Sequence, residues 1–225
     1  MLTGTCGVSQ RARSGSSDLM RVETVAARER LAATRVYMRQ LRYCVAASLD
    51  GYIAGPNGEY DWIPMDPEFD FTALYARYSG IVMGRKAYEI SAGTGGGGGF
   101  GPKLPVYVYS RTLPPGERKG MTFVQDALAH VRQLKTAGPE KPLWLWGGGE
   151  LFRELAAADL VDGLDLGIMP ILLGGGIPML PAPASRLPLR LRAHQVYPKT
   201  GTLFLEYDIV HEKKSRRQAR TRGER

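Results

Sequence analysis

Residues 142–180, PLWLWGGGELFRELAAADLVDGLDLGIMPILLGGGIPML, decide the fold. Behind Pro142 stand Leu143, Trp144, Leu145 and Trp146, all large and apolar, followed by Gly147, Gly148 and Gly149. A short apolar run closed by glycine reads as a buried strand. Leu151, Phe152, Leu155 and Ala156 then recur at near-helical spacing, with no Gly or Pro before Gly163, which predicts a helix. The glycines therefore fall at a strand-to-helix turn. There the backbone admits a ligand closely, and the N–H groups of the first helical turn lack partners of their own. Such a turn suits a phosphate, because the helix dipole adds to those hydrogen bonds. The bland alternative is a packed turn that holds nothing. Glu150 suits the dipole but would repel a phosphate, so its side chain is expected to point outward.

Upstream, residues 39–48 (RQLRYCVAAS) read as a strand that becomes apolar on both faces, as a central strand would. LDG at 49–51 is a turn and YIAGPNG at 52–58 a loop. Asp66 before Pro67 reads as the N-cap of a helix running through Arg77 to about Gly80. The apolar run 81–83 passes through Gly84 into another helix start that carries Arg85 and Lys86. Cations there oppose the dipole, which makes sense if an anion binds between them. Residues 105–110 form a third buried strand ending in Ser110 and Arg111, and 121–124 a short one before a helix capped by Asp126. Downstream, 161–169 is a strand and 170–176 a glycine-ended loop. Two strands around the PKTG turn (198–201) finish the chain, with Leu203, Leu205, Tyr207 and Ile209 alternating against Phe204, Glu206 and Asp208. The expected fold is a single α/β domain over 38–210, with a mostly parallel central sheet, flanking helices and a C-terminal antiparallel hairpin.

With 225 residues, 44% hydrophobic and 23% charged, the composition fits a soluble globular chain. The net charge of +8 belongs to the ends, because residues 39–210 hold 17 cations and 17 acids. Nucleic acid is accordingly not an expected partner. The tail HEKKSRRQARTRGER (211–225) has no aromatic residue to stack on bases and reads as a solvated, disordered segment. Residues 1–37 read as a disordered extension, with Met38 as an alternative start, and hold no apolar run that would anchor a membrane. Cys6 and Cys44 suggest no disulfide framework, so a cytoplasmic setting is expected. His130, His194 and His211 lack ligand spacing, and no metal is expected. GTGGGGGFG (93–101) matches a dinucleotide fingerprint trivially, but it follows a helix instead of a strand and reads as a slack linker.

Three strand ends now carry phosphate-binding chemistry: Gly84 with Arg85 and Lys86, Ser110 with Arg111, and the Gly147, Gly148, Gly149 turn. In an open parallel sheet, ligands bind beyond the carboxyl ends of the strands, so the three can converge. One phosphate on the glycine turn and another between Arg85 and Arg111 would describe a dinucleotide. A second arginine-lined phosphate site favours NADPH over NADH.

Five motifs, SLDGYIA (48–54), MGRKAYE (83–89), VYSR (108–111), GGGEL (147–151) and PILLGGGIP (170–178), resemble in order those of the dihydrofolate reductase-like family. The resemblance covers 38–210 and is strongest to the branch similar to the reductase domain of bacterial riboflavin biosynthesis. It implies a homodimeric, NADPH-dependent reductase. The backbone of Ala46 and Ala47 would lie beside the nicotinamide, and Gly84, Arg85 and Lys86 near the phosphates. Ser110 and Arg111 would take the 2′-phosphate, and Gly147, Gly148 and Gly149 with Glu150 and Leu151 the pyrophosphate. The substrate end departs from dihydrofolate reductase. Asp66, Glu68 and Asp70 compete for the place of the acid that contacts the pterin, with Glu68 ahead, and the supporting threonine appears as Gly167. The chain contains no zinc motif of the deaminase often fused to the riboflavin reductase. The chemistry expected is hydride transfer to a C=N or C=O carbon of a small heterocyclic (pterin- or pyrimidine-like) or ribosylamino substrate. Asp50, Glu68 or a water would supply the proton, with Trp62 and Asp66 at the substrate. The competing expectation is a catalytically silent nucleotide-binding protein whose basic tail reaches a partner.

Overall fold

The computed structural model describes residues 39–93 and 104–211. The expected N-terminal extension, most of the basic tail and nearly all of the glycine-rich linker lie outside them.

Strand β1 (Leu41–Ser48) occupies the middle of a nine-stranded sheet, between β7 (Leu143–Gly147) and β8 (Gly163–Met169), and is parallel to both. Beyond β7 follow β3 (Ile81–Gly84), β4 (Val106–Tyr109) and β6 (Met121–Val124), still parallel, with β5 (Gly116–Arg118) antiparallel at that edge. Beyond β8 lie β11 (Thr202–Ile209) and then β10 (Leu189–Tyr197), an antiparallel pair. A two-stranded ribbon of β2 (Tyr52–Ala54) and β9 (Ile177–Pro178) stands apart from the main sheet. The mostly parallel α/β architecture with a C-terminal hairpin is the one the sequence predicts.

Alternation along the strands builds two cores, because successive side chains leave opposite faces of a sheet. Leu41, Tyr43, Val82, Leu143 and Leu145 pack with α3 (Ala127–Thr136) and α4 (Gly149–Ala157) on one face. Cys44, Ile81, Met83, Val108 and Trp144 pack with α1 (Phe71–Ala76) and α2 (Arg85–Gly93) on the other. Asp126 caps α3 as expected, its Oδ1 accepting the Ala129 N–H at 2.9 Å.

Within the second face lies a buried ionic group. Arg42, 1% exposed, donates from Nε and Nη2 to Asp165, which is fully buried, and from Nη1 to Asp208 at 3.3 Å. Tyr78 donates at 2.6 Å to Asp165 Oδ2, which Arg42 Nε also reaches. Burial alone would lower the Arg42 pKa, but the hydrogen bonds and charges of Asp165 and Asp208 outweigh it and raise it. Glycine at 163 makes room for this group, since a Cβ there would overlap the Arg42 guanidinium.

Three local expectations are corrected. The helix after the first loop begins at Phe71 with Asp70 as its cap, the carboxylate accepting from Ala73 N at 2.9 Å. Asp66 instead closes a turn onto Glu68 N at 2.8 Å. Residues 52–54, read as loop, pair with Ile177–Pro178, and the short exposed β5 was not foreseen. Among the described residues no helix is long and apolar enough to cross a membrane.

Candidate active site

Beyond the carboxyl ends of the parallel strands, and down the face that carries α1, opens one crevice of about 1630 Å³. The three phosphate-type strand ends all reach it: Gly84, Arg85 and Lys86 from β3 and α2, Ser110 and Arg111 after β4, and Gly147, Gly148 and Gly149 between β7 and α4. Gly148 has φ of +89° and caps α4 without a side-chain bond, so the first-turn amides keep their donors for a ligand. Gly149 is glycine for a different reason: a Cβ would stand 2.5 Å from the Pro178 carbonyl oxygen.

Around this turn the crevice is lined by the cations Arg85, Lys86, Arg111 and Arg153 and by the acids Asp126, Glu150 and Glu154. Arg85 pairs with Glu89 at 2.7 Å, one turn on, while Lys86 and Arg111 make no ion pair among the described residues. Ser110 is buried, and its Oγ accepts from Thr112 N and Leu113 N, which folds the segment after β4 back so that Arg111 stands at the crevice. Glu150 lines the crevice, and its largely exposed carboxylate is taken up by Arg153. Leu151 lines the crevice from α4.

On the opposite side of β1 the lining changes character. Asp66 sits here, 8% exposed, with Oδ1 on Glu68 N and Oδ2 accepting from Thr200 Oγ1, each at 2.8 Å. The Glu68 N–H bond foremost, with smaller help from Thr200, keeps its pKa below the usual carboxylate range. Phe69 packs on Tyr197 and Phe204 with ring centroids 5.4 and 5.8 Å apart. Cys44 and Trp144 floor the space; burial pushes the Cys44 thiol up to about 12, and Trp144 Nε1 donates to the Cys44 carbonyl at 2.7 Å.

Four of the sequence-derived site residues do not line the crevice. Ala46 lines it, but Ala47, on the other side of the pleat, is buried. Trp62 gives its indole N–H to Glu59 O at 3.0 Å. Glu68 is exposed and paired with Lys199 at 2.9 Å. Asp50 is an exposed bracket: Ser48 Oγ donates to it at 2.6 Å, and it accepts Leu173 N and Gly174 N at 3.1 and 2.8 Å. Chiefly the Ser48 bond lowers its pKa, which suits an acceptor better than a proton donor. Sequence reasoning missed Phe69, read as a helical position, and Tyr197 and Phe204, because an aromatic on an alternating strand looks like core. It also missed the lining Tyr109, whose hydroxyl meets His130 Nδ1 at 2.8 Å. Among the described residues no cluster of three or more His, Cys, Asp or Glu is placed to hold a metal.

Residues 39–203 match the family model of the RibD C-terminal domain. The chain belongs to the RibD C-terminal domain family. Its relatives include YyaP of Bacillus subtilis (strain 168), described as uncharacterized, which is 31% identical over 172 residues, covering 68% of this chain and 86% of YyaP. A protein of Shewanella sp. PV-4, given provisionally as a riboflavin biosynthesis protein, superposes with a TM-score of 0.65 at 28% identity, covering 76% of this chain and 99% of that one. Dihydrofolate reductase from Enterococcus faecalis, complexed with NADP(H), shares the fold at 17% identity, with a TM-score of 0.56 over 76% of this chain and 97% of its own. The diaminohydroxyphosphoribosylaminopyrimidine deaminase/5-amino-6-(5-phosphoribosylamino)uracil reductase of Thermotoga maritima does so at 14% identity, with a TM-score of 0.58 over 77% of this chain and 57% of its own. Within the RibD C-terminal domain family the crevice described above therefore sits on a scaffold shared with reductases.

Proposed function

We propose that this protein is an NADPH-dependent reductase of a small heterocyclic or ribosylamino compound. The observation that carries the reading is the convergence of three separate chain segments, with an uncapped helix start and the cations Arg85, Lys86 and Arg111, on one crevice. The α4 amides and the Gly147, Gly148, Gly149 backbone, with Glu150 and Leu151 alongside, would hold the pyrophosphate. Gly84, Arg85 and Lys86 would stand near the phosphates, and Ser110 and Arg111 would hold the 2′-phosphate, with Ala46 beside the nicotinamide. When bound, NADPH supplies a hydride to the carbon of a C=N or C=O bond. The electron pair of that bond moves to the heteroatom, which takes a proton. With Asp50 and Glu68 outside the crevice, that proton comes from water. The reductase neighbours of the same fold support the reading, as does the name of the Thermotoga protein, which points to a pyrimidine substrate.

Arg111→Ala tests the cofactor assignment. It should weaken NADPH by roughly 10- to 100-fold, the worth of a charge-assisted hydrogen bond, and NADH hardly at all. Fluorescence titration reads both, and equal losses would remove Arg111 from the 2′-phosphate. A turnover screen over dihydropterins and ribosylamino-pyrimidines then separates a reductase from a silent binder.

The functional unit in this reading is a homodimer. Leu189, Leu191, Val196 and Leu203, on one face of the β10–β11 pair, are 42, 51, 55 and 38% exposed, an apolar face of the kind that marks an interaction site. Light scattering that found a monomer at micromolar concentration would contradict the pairing.

A further inference from the structure

Of the four cations that line the crevice, Arg85, Lys86 and Arg111 have a place in the cofactor reading, and Arg153 has none. Arg153 is the fifth residue of α4, and side chains on a helix lean back over the turn that precedes them. Its contacts follow that rule. Nη2 meets the carboxylate of Glu150, in the first turn, and Nη1 donates to the Ala182 carbonyl at 3.2 Å. The segment that carries Ala182 runs past the same helix start: a Cβ on Gly149 would stand 2.5 Å from the Pro178 carbonyl oxygen and 2.9 Å from Pro181 Cδ. The guanidinium is thereby set beside the uncapped first turn of α4. With five N–H donors, it has donors to spare beyond these two contacts.

Three acids share this part of the lining, and each bears differently on an anion. Asp126 spends its carboxylate on the cap of α3, accepting from Ala129 N. Glu154 lies a full turn farther from the helix start than Glu150. Of the three, Glu150 alone is ion-paired among the described residues. The pair it makes is open to water, with the Arg153 side chain 32% and the Glu150 side chain 64% exposed. A solvated pair of this kind contributes little and opens easily. A phosphate group accepts from a guanidinium through two parallel hydrogen bonds, and here the helix amides would bind it as well, which a lone carboxylate side chain cannot match.

We infer that Arg153 is a ligand of the dinucleotide's pyrophosphate and that Glu150 is the partner it gives up. Glu150 holds the guanidinium beside the helix start until a phosphate arrives, then turns into the solvent that already surrounds most of its side chain. The Ala182 carbonyl keeps its own bond to Nη1 throughout, so the exchange does not set the arginine loose. The inference rests on the reading that a dinucleotide occupies this crevice.

The test is titration of NADPH and NADH into the unchanged protein and into Arg153→Gln, Glu150→Gln and Glu154→Gln. Glutamine at 153 keeps a donor for the Ala182 carbonyl and removes the charge. Arg153→Gln should weaken both coenzymes by about 10-fold and to the same extent, because both carry the pyrophosphate. That loss should shrink as salt is raised, which a purely structural defect would not do. Glu150→Gln should tighten both by about 3-fold, the worth of an exposed ion pair, and Glu154→Gln by less. Full affinity in Arg153→Gln, a loss confined to NADPH, or a gain in Glu150→Gln no larger than that in Glu154→Gln would overturn the inference. The comparison of the two glutamate variants, both of exposed side chains, decides the matter if Arg153→Gln fails to fold. Should the unchanged protein bind neither coenzyme, the cofactor reading fails separately. Inorganic pyrophosphate then serves as the probe: weaker binding by Arg153→Gln upholds the arginine's role, and equal binding or none overturns it.

Discussion

Asp165→Ala should unfold at a markedly lower urea concentration than the unchanged protein, with a loss of about 3–5 kcal/mol. The side chain is fully buried and holds three groups: the Nε and Nη2 of Arg42 and the hydroxyl of Tyr78. Removing it strands a guanidinium that is itself 1% exposed, with only the more distant Asp208 carboxylate and two backbone carbonyls as partners. At this chain length the loss corresponds to roughly 10 °C in Tm. The double variant Arg42→Met/Asp165→Leu should recover much of it, because a buried ion pair replaced as a unit by apolar groups is often close to neutral. A single variant that unfolds with the parent would show that solvent reaches the pair.

The second large effect concerns two of the glycines that line the crevice. Gly149→Ala places a methyl group 2.5 Å from the Pro178 carbonyl oxygen and 3.0 Å from that of Met179, both backbone atoms that cannot swing aside. The helix start or the β9 segment must move, at a cost of about 1–3 kcal/mol, and the displaced amides should weaken NADPH by roughly 10-fold or more. Gly84→Ala is the informative contrast. Its methyl would find its nearest neighbour, Leu151 Cβ, at 3.8 Å, so the fold should tolerate it while the crevice loses room for the phosphates. Thermal unfolding and NADPH titration together read the pattern: Gly149→Ala lowers both, Gly84→Ala only the second. Unchanged NADPH affinity in both variants would move the cofactor away from this turn.

The fold was legible because its signals are local. Alternation at 41–45 and 143–146 names the two faces of the sheet, and Asp126 caps its own helix three residues on. Asp66 shows where that logic stops. Asp-Pro is a sound helix-start signature, yet the Asp66 carboxylate is also held by Thr200, 134 positions away, and the cap passes to Asp70. The same distance in sequence hid the Arg42–Asp165 pair, 123 positions apart, which reads locally as two ordinary strand residues. Strand β5 carries no apolar pattern, since all three of its residues are exposed at the sheet edge. At the site, glycines and cations at strand ends announce themselves, whereas an aromatic wall is assembled from residues indistinguishable from core. The meeting of those strand ends in one crevice could therefore be anticipated from the sequence, and the aromatic wall beside Asp66 could not.

The Asp50 bracket bears on how the rim of the crevice is held. It ties the turn after β1 to residues 173 and 174, and from that tie hang Ile53 and Ala54 on one side and Ile177 and Pro178 on the other, all of them crevice walls. The two segments lie over a hundred positions apart and meet beside the paired strands β1 and β8. The rim thus depends on contacts of long sequence separation, and a nucleotide that bound only the finished chain would stabilise it by mass action.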